Sequence, residues 1–184
     1  MKRFIALFLA LVVTGCAAQD EAADRFLTLR QTMQSVNQCT FRTAVTSDYG
    51  DYLHSFVLDC AYDGELLTFT VVAPDSIAGI TGQFRGEKGA LTFDGKILAL
   101  ESLADGQIPP VSAPWILLRS LIGGYLEATS EISEGIILHL RETYADDSVK
   151  VQVQLNDNGH PWKAEIIWQG RRILTMDVEN FQVR

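Results

Sequence analysis

Apolar positions recur first at helical spacing and then at strand spacing. Ala22, Phe26, Leu29, Met33 and Val36 fall at steps of three and four, the stripe of a helix running from Asp20 to about Val36. Asp20 suits its N-cap and Glu21 its first turn. From residue 39 the period becomes two. A two-residue turn at Tyr49-Gly50 sets Cys39 opposite Cys60, Phe41 opposite Leu58, Thr43 opposite Phe56 and Val45 opposite His54. One face is then apolar and the other mostly polar, as a half-buried hairpin requires. A second turn at Asp63-Gly64 sets Leu67 beside Cys60, Phe69 beside Leu58 and Val71 beside Phe56. It continues the same apolar face.

Beyond Pro74 the pattern predicts a strand over Ile77–Phe84, weakened by Gly79 and Gly82. A turn at Gly86–Gly89 and a hairpin around Asp94-Gly95 follow. Asp105 to Pro114 reads as loop. Ser112 is placed to cap a helix from Pro114 to about Glu127, apolar on nearly every side through Trp115–Ile122 and interrupted by Gly123-Gly124. Such a helix must be covered. About four strands close the chain. A turn at Asn158-Gly159 sets Leu155 against Trp162, Val153 against Ala164 and Val151 against Ile166. After a loop at Gln169–Arg171, Leu174, Met176 and Val178 join that face.

These elements define one mainly β domain of the α+β kind: a helix, about six strands, a helix and about four strands. About ten antiparallel strands curl because sheets twist. The predicted architecture is an incomplete β-barrel, with the N-terminal and the central apolar helix plugging or lidding its concave face. By facing alone, Phe56, Phe69, Leu118, Ile122, Trp162 and Trp168 line the concavity. A cavity there suits an acyl chain; alternatively, the helices fill it and it is only core.

Three segments carry a resemblance to the LolA/LolB-like superfamily of bacterial envelope lipoproteins. They are the opening helix with its long hairpin, the segment Val71–Ile80, and the closing stretch from Pro161–Ile166 to Val178–Phe181. The resemblance implies an incomplete barrel with helices over its mouth. It also implies binding of a lipid or an acylated protein, and no catalysis.

The first residues carry an address. Lys2 and Arg3 precede an apolar run from Phe4 to Val13, too short to span a bilayer but suited to a signal peptide. The run ends in Val13-Thr14-Gly15-Cys16, which resembles a bacterial lipobox. The resemblance implies removal of residues 1–15, acylation of Cys16 with chains such as palmitate, a tether over 16–19 and a domain over 20–184. A plain signal peptide with a chance cysteine is the alternative. Cleavage takes the formal charge from −8 to −10. Such a surface repels anionic headgroups, so the acyl anchor must hold the protein to the extracytoplasmic face of the membrane. The acidic balance also weighs against nucleic acid as a partner.

Cys39 and Cys60 remain as an even pair. Facing each other at a non-hydrogen-bonded site, their Cα atoms would lie about 4.5 Å apart, within disulfide range. Closing that loop adds roughly 3 kcal/mol; two separate buried thiols are the alternative. His54, His139 and His160 lack metal-ligand spacing, and no nucleophile elbow or phosphate loop is present. The expectation is a non-enzyme without cofactor or metal. It is either a lipid carrier or receptor, or a tethered partner of another envelope protein that offers an apolar patch or an open sheet edge.

Overall fold

The computed structural model describes residues 21–35, 38–50, 53–101, 108–145 and 148–184. The expected signal peptide, Cys16, the tether, Asp20 and Val36 lie outside them. Helix α1 covers 21–35. The strands are β1 (Cys39–Asp48), β2 (Leu53–Tyr62), β3 (Leu67–Ala73), β4 (Thr81–Arg85), β5 (Lys88–Phe93) and β6 (Lys96–Glu101). A 3-10 turn (Pro110–Ser112) leads into α2 (Ala113–Gly123). Then come β7 (Tyr125–Ile132), β8 (Gly135–Arg141), β9 (Lys150–Leu155), β10 (Pro161–Trp168) and β11 (Arg171–Val183).

All eleven strands form one antiparallel sheet in the order β6-β5-β4-β3-β2-β1-β11-β10-β9-β8-β7. The sheet is not closed: β6 and β7 are its two edges. It is two meanders, β1–β6 and β7–β11, joined by the β1–β11 pair, and it is an incomplete barrel with two helices. Its inner face is read directly from the alternation. In β1, Cys39, Phe41, Thr43 and Val45 are buried while Thr40 and Arg42 are exposed. Phe56, Leu58 and Cys60 do the same in β2.

The expected faces are present, but two registers are corrected. Cys39 lies opposite Tyr62 and Phe41 opposite Cys60; Leu58 lies opposite Val71 and Cys60 opposite Phe69. Each pairing is displaced by two residues because the connections are longer than two residues. At the second, Asp63 Oδ1 accepts from the backbone N–H groups of Glu65 and Leu66, drawing four residues into the loop. A slip of two leaves every side chain on its face. It does remove the direct Cys39–Cys60 facing, and both cysteines are buried free thiols. Burial pushes the Cys39 thiol up to about 12 and raises the Cys60 thiol as well, which favours the neutral thiol over the thiolate.

The β9–β10 register is as expected through Val153↔Ala164 and Val151↔Ile166. A bulge then sets Leu155 against Pro161 instead of Trp162. Another irregularity in the β1–β11 pair accompanies Asn180, at φ +54. It brings Phe181 to the inner face, 5.7 Å from Phe41 between ring centroids.

Helix α2 is shorter than expected. Gly124 is extended and β7 begins at Tyr125, so Tyr125–Glu127 are strand. Ser112 makes no side-chain cap; its hydroxyl donates to the Pro109 carbonyl at 2.6 Å. Strand β4 starts at Thr81, after a turn at Pro74–Gly79.

Candidate functional site

The inner face and α2 form one hydrophobic core. Phe56, Phe69 and Leu118 are buried within it, Leu118 completely. Ile122 and Trp168 pack against it while partly exposed. Trp162 is partly buried at the β10 bulge, with its Nε1 buried and without an acceptor among the described residues. Of the six expected lining residues, five therefore belong to or pack on one core. Ile122 lines an outer groove.

Phe69 is held by an absence. It pairs across the strands with Gly82, where a Cβ would lie 2.2 Å from the Phe69 ring. Phe84 uses Gly89 in the same way, at 2.4 Å. The two rings lie over the glycines of neighbouring strands and stack at 6.1 Å. Gly82, which weakens its strand as a sequence, and Gly89, which reads as part of a turn, are the floor on which these aromatics lie.

Charged side chains fix α2 within the fold. Arg30 of α1 donates from Nε to the Leu121 carbonyl at 2.8 Å and from an Nη to Gly124 at 2.5 Å and Ser120 at 3.3 Å. Gln34 donates to the Ile122 carbonyl at 3.0 Å. The Leu121 and Ile122 carbonyls belong to the last turn, whose acceptors a helix end leaves without intrahelical partners, while Ser120 also accepts from the Gly124 N–H at 3.0 Å; a cation there also complements the helix dipole. Partial burial lowers the Arg30 pKa, and its guanidinium lies 4.3 Å over the Phe26 ring. On another side of α2, Arg119 joins the two wings of the sheet. It reaches Glu87 in the β4–β5 turn at 2.6 Å and Glu142 after β8 at 3.6 Å. Trp115 Nε1 donates to the Gly86 carbonyl at 2.7 Å.

A groove of about 290 Å³ runs beside this clasp, lined by Tyr62, Trp115, Arg119, Ile122, Gly123, Gly124 and Glu142. Burial pushes the Glu142 carboxyl above its usual value; Arg119 pulls it partly back and Glu87 pushes it up again. Sequence reasoning did not single out Tyr62, Arg119 or Glu142, and it took Trp115 for core. Arg119, the one charge in the apolar run 115–122, is the signal that could have found the clasp. A larger groove of about 750 Å³ lies between α1, the β9–β10 turn and the end of β11. Most of its lining residues are polar in type, with Leu29, Phe181 and Val183 adding apolar surface.

Among the described residues no cluster of three metal-ligating side chains occurs, and no helix is long and apolar enough to cross a membrane. His139 lies 3.3 Å from the Ser130 hydroxyl, and His160 packs on Phe181. Phe93, Ile97 and Leu98 are exposed on the β5–β6 edge hairpin.

No family model and no curated protein matches the sequence. Solved structures do. The chain is similar to a putative outer membrane lipoprotein-sorting protein domain from Vibrio parahaemolyticus, with a TM-score of 0.50 and 7% identity over 90% of this chain and 93% of that one. It is similar to a LolA superfamily protein from Nitrosomonas europaea, with a TM-score of 0.45 and 13% identity over 86% and 93%. It is also similar to the lipoprotein LppX from Mycobacterium tuberculosis, with a TM-score of 0.42 and 10% identity over 91% and 99%. The fold is LolA-like: an open antiparallel half-barrel with two helices at its inner face.

Proposed function

We propose that this chain is a lipid-anchored protein of the bacterial envelope. It takes a lipid or acyl chain against the inner face of its sheet, as carrier or receptor, and catalyses no reaction. The observation that carries this reading is α2. Eight of its eleven residues are buried, yet its carbonyl end is secured by two side chains of α1 and its flank by one ion-paired arginine. A plug held by a few polar contacts against an apolar wall can yield to a lipid chain, exchanging apolar surface for apolar surface. The LolA-like fold and the lipobox-like residues before Cys16 support the same reading.

Mass spectrometry of lipids copurifying with the domain from Gln19 onward, exported to an oxidising compartment, tests it. Starting there removes the anchor, so a lipid found in stoichiometric amount must sit in the fold. A stable domain without lipid, both as wild type and as Arg30→Ala, would sink the reading. A second reading, a protein partner adding a strand at β6, is favoured by the exposed Phe93, Ile97 and Leu98 on that edge.

A further inference from the structure

The groove beside α2 holds chemistry that an acyl-chain site does not require. Tyr62 and Trp115 form one wall, with ring centroids 6.2 Å apart and planes inclined by 52°. The polar atoms of both rings are committed to backbone. Tyr62 Oη donates to the Gly64 carbonyl at 2.5 Å, and Trp115 Nε1 to Gly86. What the pair offers a ligand is hydrocarbon and π surface.

The charges are unequal. Arg119 is the groove's one cation, and two carboxylates face it. Glu87 is mostly exposed and takes Arg119 Nη1 at 2.6 Å. Glu142 is the inner one, its side chain 16% exposed, and its Oε1 lies 3.6 Å from Arg119 Nε. That separation is past hydrogen-bond reach, and among the described residues this buried oxygen has no hydrogen-bond donor. A desolvated carboxylate oxygen without a donor is costly. A positively charged N–H donor, held between that oxygen and two aromatic rings, would satisfy both the geometry and the charge.

We propose that this groove binds an organic ammonium group and, resting on the lipid-binding reading above, that the group is the headgroup amine of an aminophospholipid. The amine donates to Glu142 Oε1 and lies against Tyr62 and Trp115. Arg119 stands where it can meet the phosphate that follows the amine. Ile122, which lines the groove and packs on the core, marks the path of the chains toward the inner face. At about 290 Å³ the groove is of headgroup size, at the small end of ligand pockets.

Isothermal titration of the full-length chain in a nonionic detergent tests this. The probes are dihexanoyl phosphatidylethanolamine, dihexanoyl phosphatidylglycerol and ethanolamine. The ethanolamine lipid should saturate, with the glycerol lipid at least about tenfold weaker. Glu142→Gln should remove that preference while keeping the β-sheet circular dichroism, and Glu131→Gln, on exposed β7, should keep it. Tyr62→Leu gives the same loss and stands in if Glu142→Gln does not fold. Equal affinity for both lipids, or a Glu142→Gln variant with its preference intact, overturns the ammonium site and leaves the lipid reading standing. Failure of both lipids to bind overturns both. Free ethanolamine binding as tightly as the lipid overturns the assignment to a lipid and moves the site to a soluble amine.

Discussion

Helices α1 and α2 meet the same sheet in opposite ways. Helix α1 gives it one stripe, Ala22, Phe26, Leu29 and Met33, and leaves Glu21, Asp24 and Leu27 outside. Helix α2 is buried through Trp115, Ile116, Leu117, Leu118, Ser120 and Leu121. By packing, α2 belongs to the core and α1 is its cover. By hydrogen bonding the dependence reverses, because the end of α2 is completed by Arg30 and Gln34 of α1. The cover is thus also a latch, and the two helices should loosen together.

The largest break in this comparison is a charge on each helix. Leu118→Asp places an unpaired carboxylate at a fully buried position and should cost more than about 4 kcal/mol. Leu27→Asp, at a position 48% exposed, should stay within about 0.5 kcal/mol. Urea melts of the two variants measure both. If Leu118→Asp folds normally, α2 is not core. For the same reason Leu118→Asp tests folding and says little about a ligand.

The latch itself comes next. Arg30→Ala removes three contacts to carbonyls, of which Ser120 alone keeps a backbone donor, the Gly124 N–H, and should cost about 1–3 kcal/mol. Hydrogen exchange should quicken in α2 before it does in β10. Arg30→Lys should recover less than half of the loss, since one ammonium cannot reproduce the fork that meets Leu121, Ser120 and Gly124. Uniform quickening across β10 and α2 would mean that the helices do not open as a pair.

Glu142 gives a change in shape rather than a single loss. Burial raises its carboxyl pKa in the folded state, Arg119 opposes the rise and Glu87 adds to it. A raised folded value means the folded state holds the proton more tightly. The group's favourable contribution is therefore complete below the ordinary carboxylate range and is lost as pH rises through the folded value. Glu142→Gln should match the parent at the acid end and exceed it near neutrality, as read from denaturant midpoints across pH. An unchanged difference at every pH would show that this carboxyl does not titrate differently on folding. The smallest effect belongs to Arg25→Ala. The Arg25–Glu21 pair, 2.9 Å apart, is exposed on α1 and should be worth about 0.3–0.5 kcal/mol, vanishing at high salt.

Which face each strand turns inward was legible because alternation has a period of two. It survives a shift of two residues, which is the size of the error in both the β1–β2 and the β2–β3 pair. Register was not legible there, because it depends on how many residues the loop takes up. Asp63 settles this through its side-chain hydrogen bonds. At Gln169-Gly170 both residues have positive φ, and a two-residue turn replaces the expected loop of three. Gly82 reads as a weak point and Gly89 as a turn residue because a sequence does not show Phe69 and Phe84 lying over them. Strand β7 was hidden because the apolar helix was carried past Gly123-Gly124 to about Glu127. The groove was invisible for a plainer reason. Tyr62, Trp115, Arg119 and Glu142 come from β2, α2 and the segment after β8, so no local spacing joins them, whereas the core positions repeat along each element.

Cys39 pairs with Val183, so the earliest strand and the latest one share the seam at the middle of the sheet. During synthesis, β1 emerges long before the thirteen residues of β11. Until they arrive, one flank of β1 stays an open template for any passing strand. Each meander assembles from neighbours in the chain, but the seam waits for contacts of the longest range, which are the slow ones. Premature termination within β11 would therefore do more than fray an edge. It would leave two ribbons of sheet, each with a bare flank in place of the missing partner, and aggregation rather than mild instability would be the fate of such a product.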